Sequence, residues 1–132
     1  MLRCALAAVA ASALLTALLT PPPAAAQAPR NFPASALRGD LVVVAPPEVL
    51  VNGQPARLAP GARIRGENNL LQVSGSLAGQ RWIVHYTRDP SGALLDVWVL
   101  TPAERANQPW PVTPAEAATW RFDAGAQRWS RP

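Results

Sequence analysis

The stretch RWIVHYTRDPSGALLDVWVLT, residues 81–101, predicts a β-hairpin and determines our expectation for the whole fold. Two apolar runs, residues 81–88 and 94–101, flank the turn sequence DPSG. Pro90 suits the first corner of a type I turn, and Gly92 suits the left-handed position that follows such a turn. The spacing therefore predicts two long, directly connected strands.

Regular pairing of this hairpin predicts Tyr86 opposite Asp96 and Val84 opposite Trp98. Each face then carries apolar side chains, and the only histidine of the chain, His85, lies among them. One face comprises Trp82, Val84, Tyr86, Leu94, Trp98 and Leu100, and the other comprises Ile83, Leu95, Val97 and Val99. Because both faces are apolar, we expect the hairpin to be covered on both sides, as in a small barrel or sandwich.

The residues before this hairpin add further short strands separated by turn residues. The run DLVVVA at residues 40–45 ends at two prolines, and Asn52-Gly53 marks a tight hairpin turn. Pro60-Gly61 and the sequence GENN at residues 66–69 predict two more turns. We therefore predict a mostly β fold, a small antiparallel β-barrel or sandwich of six to seven short strands over residues 40–104, after an irregular lead-in at 27–39.

Residues 105–132 form a Pro- and Trp-rich C-terminal extension of mixed α/β character. Thr113 precedes Pro114 and stands three residues before Glu116, which is the spacing of a helix N-cap. The sequence WRFDAGAQRWSR at residues 120–131 predicts a final small hairpin with its turn at residues 123–126.

The aromatic and arginine residues of this extension are the candidate binding residues. They are Trp110, Trp120, Arg121, Phe122, Arg128, Trp129 and Arg131. Guanidinium groups beside aromatic rings bind sugars, bases or anionic membrane surfaces. The alternative is structural: three of the rings form one face that caps the barrel, and the arginines are solvated outside it.

The sequence contains no recognisable catalytic or cofactor motif. His85 is the only histidine, and after the first residues no cysteine follows that could join it at a metal site. A small hydrolase using His85, Asp89 or Asp96 is the enzymatic alternative, but no motif joins two of these groups. We expect no cofactor and no metal.

The N-terminal sequence MLRCALAAVAASALLTALLTPPPAAAQA predicts an export signal. Arg3 supplies the positive start, an apolar run follows, and small residues after three prolines provide the cleavage site. We expect cleavage after Ala26, with cleavage after Ala28 as the alternative, and a periplasmic protein. A secreted protein or an uncleaved membrane anchor are the other possibilities, and no later stretch is long and apolar enough to span a membrane.

The composition of the predicted mature chain, residues 27–132, limits how the fold is stabilised and what the protein binds. The mature chain contains no cysteine, because Cys4, the only one in the sequence, lies in the predicted signal peptide; packing alone must therefore stabilise the fold. The chain has no lysine, and the high isoelectric point of about 11.0 arises because arginine stays charged in alkali. Eleven arginines against eight acidic residues give the mature chain a net charge of +3, which with export argues against a nucleic-acid partner.

Two segments, FPASALRGDLVVVAPPEVLVNGQPARLAPGARIRGENN and VHYTRDPSGALLDVWVLTPAE, lie between Asn31 and Glu104. They resemble small exported proteins of proteobacteria that carry no assigned function. The resemblance implies export and a compact β domain, and it implies no activity. We expect a non-enzymatic envelope protein that binds or scaffolds a partner: an envelope protein, a glycan or an anionic lipid.

Overall fold

The computed structural model describes residues 28–132, so the predicted signal peptide lies outside the described residues. The strands are β1 Leu37–Ala45, β2 Glu48–Val51, β3 Gln54–Arg65, β4 Leu71–Gln72, β5 Arg81–Arg88, β6 Leu94–Val99, β7 Arg121–Asp123 and β8 Arg128–Ser130. The helices are α1 Pro102–Ala106 and α2 Pro114–Thr119, and a 3₁₀ turn spans Ser74–Leu77. This content confirms the prediction of a mostly β fold with a mixed α/β extension.

Five of the strands close into a barrel. The hydrogen-bonded order is β2-β1-β5-β6-β3, and β3 also pairs with β2, which completes the ring. The pairs in this ring are antiparallel except β3 with β6, which is parallel, so the sheet is mixed. Small β-barrels host many unrelated functions, so the architecture alone implies no activity.

The hairpin between β2 and β3 has the turn that its sequence predicts. Asn52 and Gly53 both have positive φ, 52° and 77°, as a two-residue hairpin turn requires. The turn predicted at Pro60-Gly61 is wrong, because these residues lie inside β3. The ladder between β3 and β6 is irregular between Leu58 and Arg63, and this irregularity accommodates the two residues within one long strand.

The central hairpin of β5 and β6 forms as predicted, but the register of its two strands differs from the predicted one. Near the turn Arg88 pairs with Leu94, whereas further along Tyr86 pairs with Val97 and His85 with Trp98. This shift is a β-bulge. Asp96 has no partner in the β5–β6 ladder, and its backbone N–H donates instead to Thr87 Oγ1 at 3.2 Å. Beyond the bulge every β6 side chain therefore points to the face opposite to the predicted one.

The inward faces of the barrel strands form an aliphatic cluster, which we call the barrel core. The bulge places Val97 and Val99 in this core, whereas the sequence predicted Trp98 and Leu100. Its buried members are Leu37, Leu41, Val43, Val49, Val51, Leu58, Ile64, Leu77, Val84, Tyr86, Leu94, Val97 and Val99. The strand β1 begins at Leu37, three residues before the predicted start, because Leu37 belongs to this cluster.

The outer face of β5 and β6 carries a second cluster, which we call the aromatic core. It joins Leu100 to residues from the lead-in and the extension, and its buried members are Phe32, Ala36, Leu100, Trp110 and Trp129. Ile83, Trp98, Trp120 and Phe122 pack against it. The prediction that the central hairpin is covered on both sides is therefore confirmed.

The extension folds locally as its sequence predicts. Thr113 Oγ1 accepts a hydrogen bond from the backbone N–H of Glu116, which caps α2. The strands β7 and β8 pair around the turn at residues 124–127, and we call this unit the terminal hairpin. Phe122 and Trp129 are cross-strand partners in it, so both rings point to the same face, toward the barrel.

Candidate functional site

Three of the seven predicted binding residues are used for packing. Trp110 and Trp129 are only 4% and 5% exposed, and Phe122 stacks on Trp129 with ring centroids 4.7 Å apart. Trp110 Nε1 donates to the carbonyl of Ala36 at 3.0 Å, which satisfies the polar atom of its ring. These rings attach the extension to the barrel, so they offer little surface to a ligand.

The other four predicted binding residues remain near the surface. Arg121 and Arg128 are exposed on the outward face of the terminal hairpin, opposite the packed rings. The Arg131 guanidinium lies 5.2 Å from the centroid of the Trp120 ring, in a cation–π contact. The structure thus buries or half-buries the four aromatic residues of the predicted set and exposes its three arginines.

His85 lies at the junction between the barrel and the aromatic core, and it is 1% exposed. Its ring stacks on Trp110 with centroids 4.1 Å apart and meets Phe32 edge-on at 4.4 Å. Burial, together with the positive charges of Arg38 and Arg30, lowers the pKa of His85 to about 2. The imidazole is therefore neutral at physiological pH, which is incompatible with a general base tuned near neutrality.

The two ring nitrogens of His85 have different roles. Nε2 accepts from Arg38, at 3.2 Å from Nε and 3.0 Å from Nη2, because an arginine can only donate. The proton of the neutral ring is therefore on Nδ1. This buried N–H has no acceptor among residues 28–132. A buried donor without a partner is costly, and it marks a place where an acceptor group would be stabilising.

Arg38 connects β1 to the first helix of the extension. Its guanidinium donates to the carbonyls of Glu104, Arg105 and Asn107 at 2.9, 3.3 and 2.9 Å, at the C-terminal end of α1. Arg38 and His85 are neighbours across the β1–β5 ladder, which aligns the two side chains. Burial lowers the pKa of Arg38, but nearby Glu104 acts in the opposite direction.

A second arginine, Arg30, fixes the lead-in against three elements. It forms a largely buried ion pair with Glu104 and donates to the carbonyls of Gly66 and Val99 at 2.9 and 2.7 Å. Glu104 also accepts from the backbone N–H of Thr101 and completes a capping box at the start of α1. Burial raises the pKa of Glu104, but the hydrogen bonds from Arg30 and Thr101 outweigh it, so that pKa lies below its usual value.

These contacts surround a cleft of about 960 Å³, which we call the polar cleft. Its walls are the lead-in at residues 28–32, the end of β3 with the turn at 65–69, helix α1 with its flanks, and the turn of the terminal hairpin. His85 and Trp98 line it from the barrel side. Five amide side chains also line it: Asn31, Asn68, Asn69, Asn107 and Gln127.

Part of this amide lining already has protein partners. Gln127 donates to and accepts from the backbone of Phe32, and Asn107 Nδ2 donates to the carbonyl of Gln127 at 2.7 Å. Asn31 and Asn69 have no side-chain hydrogen bond within residues 28–132 and are exposed at the rim. The cleft therefore offers free donors and acceptors above a fixed polar wall.

The acidic candidates for catalysis are occupied elsewhere. Asp89 accepts hydrogen bonds from the backbone N–H and from the hydroxyl of Ser91. The bond from the Ser91 hydroxyl is the main cause that lowers the pKa of Asp89. Asp96 pairs with Arg63 at 3.1 Å, and the predicted position opposite Tyr86 is wrong because of the bulge. Within residues 28–132, no three His, Cys, Asp or Glu side chains cluster as metal ligands would.

Comparison with known proteins assigns no family to this chain. No protein-family model, curated protein or solved structure matches it. In the part of the chain that the structure describes, no helix is long and apolar enough to cross a membrane.

Proposed function

We propose that this protein is a non-enzymatic, exported binding module, and that its ligand is a neutral, hydroxyl-rich molecule such as a glycan that enters the polar cleft. The observation that carries this proposal is the lining of the cleft, where five amide side chains stand beside the partly exposed Trp98. Two of these amides, Asn31 and Asn69, are exposed, have no side-chain hydrogen bond within residues 28–132, and can bind the hydroxyl groups of a ligand.

The other lining groups favour a neutral polyol over an ion. Amide side chains both donate and accept, which matches hydroxyl groups that do the same. The charges of the lining balance, because Arg30 and Arg65 stand against Glu67 and Glu104, and Arg30 is already paired with Glu104. Trp98 is partly exposed and supplies an apolar surface beside these polar groups.

The catalytic alternative receives no support from this geometry. His85 is neutral, and its Nε2 is occupied by Arg38. Glu104 is tied to Arg30 and to the cap of α1.

The test is a backbone NMR titration of the predicted mature chain with a soluble N-acetylglucosamine tetramer, a neutral envelope-type glycan. We expect shifts confined to the cleft walls, above all at the backbone N–H groups of residues 65–69 and 125–127 and at the indole N–H of Trp98. The double variant Asn31→Ala, Asn69→Gly removes two free rim amides and is expected to weaken binding on the order of tenfold. Glycine is used at Asn69 because φ there is 65°.

The matched control removes two exposed amides from the barrel, Gln54→Ala and Gln80→Ala. We expect its affinity for the tetramer to equal that of the unsubstituted chain. Shifts outside the cleft, or equal weakening in both double variants, would contradict the assignment of the site. Absence of any shift with the tetramer and with neutral hexose oligomers would contradict the proposed ligand class.

A further inference from the structure

The outward face of the terminal hairpin is separate from the polar cleft and has a different chemistry. Pairing of β7 with β8 directs Phe122 and Trp129 toward the barrel and leaves Arg121 and Arg128 exposed on the other side. Arg131 follows β8 and lies over Trp120. Three arginines and a partly exposed tryptophan therefore lie on a hairpin that is fixed from behind by the aromatic core.

The positive charge of this hairpin is only partly neutralised within the described chain, because Asp123 is the cross-strand partner of Arg128 on the same face. The ion pairs within residues 28–132 use Arg30, Arg57, Arg63 and Arg81, and none uses an arginine of the terminal hairpin. Its only acidic residue, Asp123, accepts a turn hydrogen bond from the backbone N–H of Ala126 at 3.1 Å. Residues 121–131 carry three arginines and this one aspartate, so they supply two of the three net positive charges of residues 28–132.

We propose that this face docks on a membrane surface rich in anionic phospholipid. Guanidinium groups bind phosphate through two parallel hydrogen bonds. Arg121 and Arg128 lie on the outward face, and Arg131 lies over Trp120 at the open end of the same hairpin. Trp120 beside Arg131 adds a ring that is apolar in its body and polar at its N–H, which is typical of side chains at the lipid–water boundary. This aromatic component favours a lipid surface over a soluble polyanion.

The proposed docking is weak and reversible, and it is independent of the glycan proposal. Each arginine near an anionic surface strengthens binding several-fold, so three together contribute on the order of a 100-fold preference for anionic over neutral lipid. The turn of the terminal hairpin, residues 125–127, also lines the polar cleft. Docking would therefore hold the cleft close to the membrane surface.

The test measures binding of the predicted mature chain to vesicles of phosphatidylcholine, with and without about one-third phosphatidylglycerol, by co-sedimentation. Substitution is preferred to truncation because Trp110 and Trp129 of the extension are buried. The triple variant Arg121→Gln, Arg128→Gln, Arg131→Gln removes the charged face. We expect it to lose the preference for phosphatidylglycerol, and we expect 1 M salt to abolish that preference in the unsubstituted chain, because screening shortens electrostatic range to about 3 Å.

The matched control is Arg57→Gln, Arg81→Gln, Arg88→Gln, which gives the same net charge by changing exposed arginines of the barrel. We expect this control variant to keep most of its preference for vesicles that contain phosphatidylglycerol. Equal loss in both triple variants would show an effect of net charge alone and would overturn the proposal. So would equal binding to both vesicle types, or binding to soluble polygalacturonate with none to vesicles. If the first triple variant fails to fold, Arg121→Gln, Arg128→Gln replaces it in the same comparison.

Discussion

The barrel core and the aromatic core stabilise this protein in different ways. The barrel core consists mainly of branched aliphatic side chains on strands that pair with one another, and its members lie between residues 37 and 99. The aromatic core joins Phe32, Trp110 and Trp129, which are remote in sequence, and its edge contains Arg38 and His85. The comparison indicates that the barrel determines the fold, whereas the aromatic core attaches the extension and so creates the polar cleft.

The largest expected effect comes from removing one large side chain from each core. Trp110→Ala is expected to lower the free energy of unfolding by about 3–5 kcal/mol, and Leu41→Ala by about 2–5 kcal/mol. Both side chains are nearly fully buried. Urea unfolding followed by circular dichroism measures the loss. Limited proteolysis should then cut Trp110→Ala selectively within residues 105–132, but cut Leu41→Ala throughout the chain.

Similar proteolysis patterns in the two variants would contradict the conclusion that the barrel core determines the fold and the aromatic core attaches the extension. The controls are Val44→Ala and Val112→Ala, which truncate exposed apolar side chains of the barrel and of the extension. Their free energies of unfolding are expected to change by no more than about 0.5 kcal/mol.

A smaller effect is expected at the polar edge of the aromatic core. Arg38→Gln leaves the carbonyls of Glu104, Arg105 and Asn107 and the Nε2 atom of His85 without their donor. We expect a loss of about 2–3 kcal/mol in the free energy of unfolding, measured by urea denaturation, because several partly buried acceptors lose their donor at once. The glycan affinity of the cleft should fall with it, since α1 forms one wall.

The matched control is Arg81→Gln, which removes an exposed arginine whose ion pair with Asp40 spans 3.5 Å. An exposed pair contributes at most about 1 kcal/mol. A loss at Arg81 as large as that at Arg38 would argue that general charge, rather than the connection between β1 and α1, stabilises the extension.

The smallest expected effect is a pH dependence caused by His85. Its pKa is about 2 in the folded chain and 6.5 in the ordinary exposed state, so between these values only the unfolded chain binds the proton. The stability associated with the neutral ring is fully present above pH 6.5 and falls by about 1.4 kcal/mol for each pH unit below it.

Urea unfolding between about pH 7 and pH 5 measures this slope above the range in which most carboxylates titrate. The reference is His85→Gln, whose unfolding free energy should be nearly constant in this interval. Equal slopes in the two chains would mean that His85 is protonated in the folded state, and the assignment of the free proton to Nδ1 would then be wrong.

Local features of the fold follow from short stretches of sequence because their causes are local. Asn52-Gly53 determines a turn through its tolerance of positive φ, and Thr113 with Glu116 determines a helix start through one hydrogen bond. The two apolar faces of residues 81–101 also predict that the central hairpin is covered on both sides. In the turn and in the helix cap the interacting groups lie within a few residues of one another.

The details of the site could not be predicted from the sequence. The exposed Arg121, Arg128 and Arg131 were predicted as binding residues together with Trp110 and Trp129, which the structure buries. Arg30, Arg38 and Asn69 were not singled out, because an isolated arginine or asparagine in a sequence gives no sign of what it will face. Only the β1–β5 register, which makes Arg38 a neighbour of His85, would have indicated this connection.

Most strands, the Asn52-Gly53 turn, the cap of α2 and the apolar surfaces that must be covered follow from backbone preferences and hydrophobic periodicity, which can be seen in the sequence. Three features appear only in the folded chain: the faces to which the β6 side chains point, the closure of the barrel through the parallel pairing of β3 with β6, and the position of the polar cleft. The physical reason is that one bulged residue reverses every side chain beyond it. Contacts between segments such as Arg30 and Glu104 arise only when distant parts of the chain are brought together.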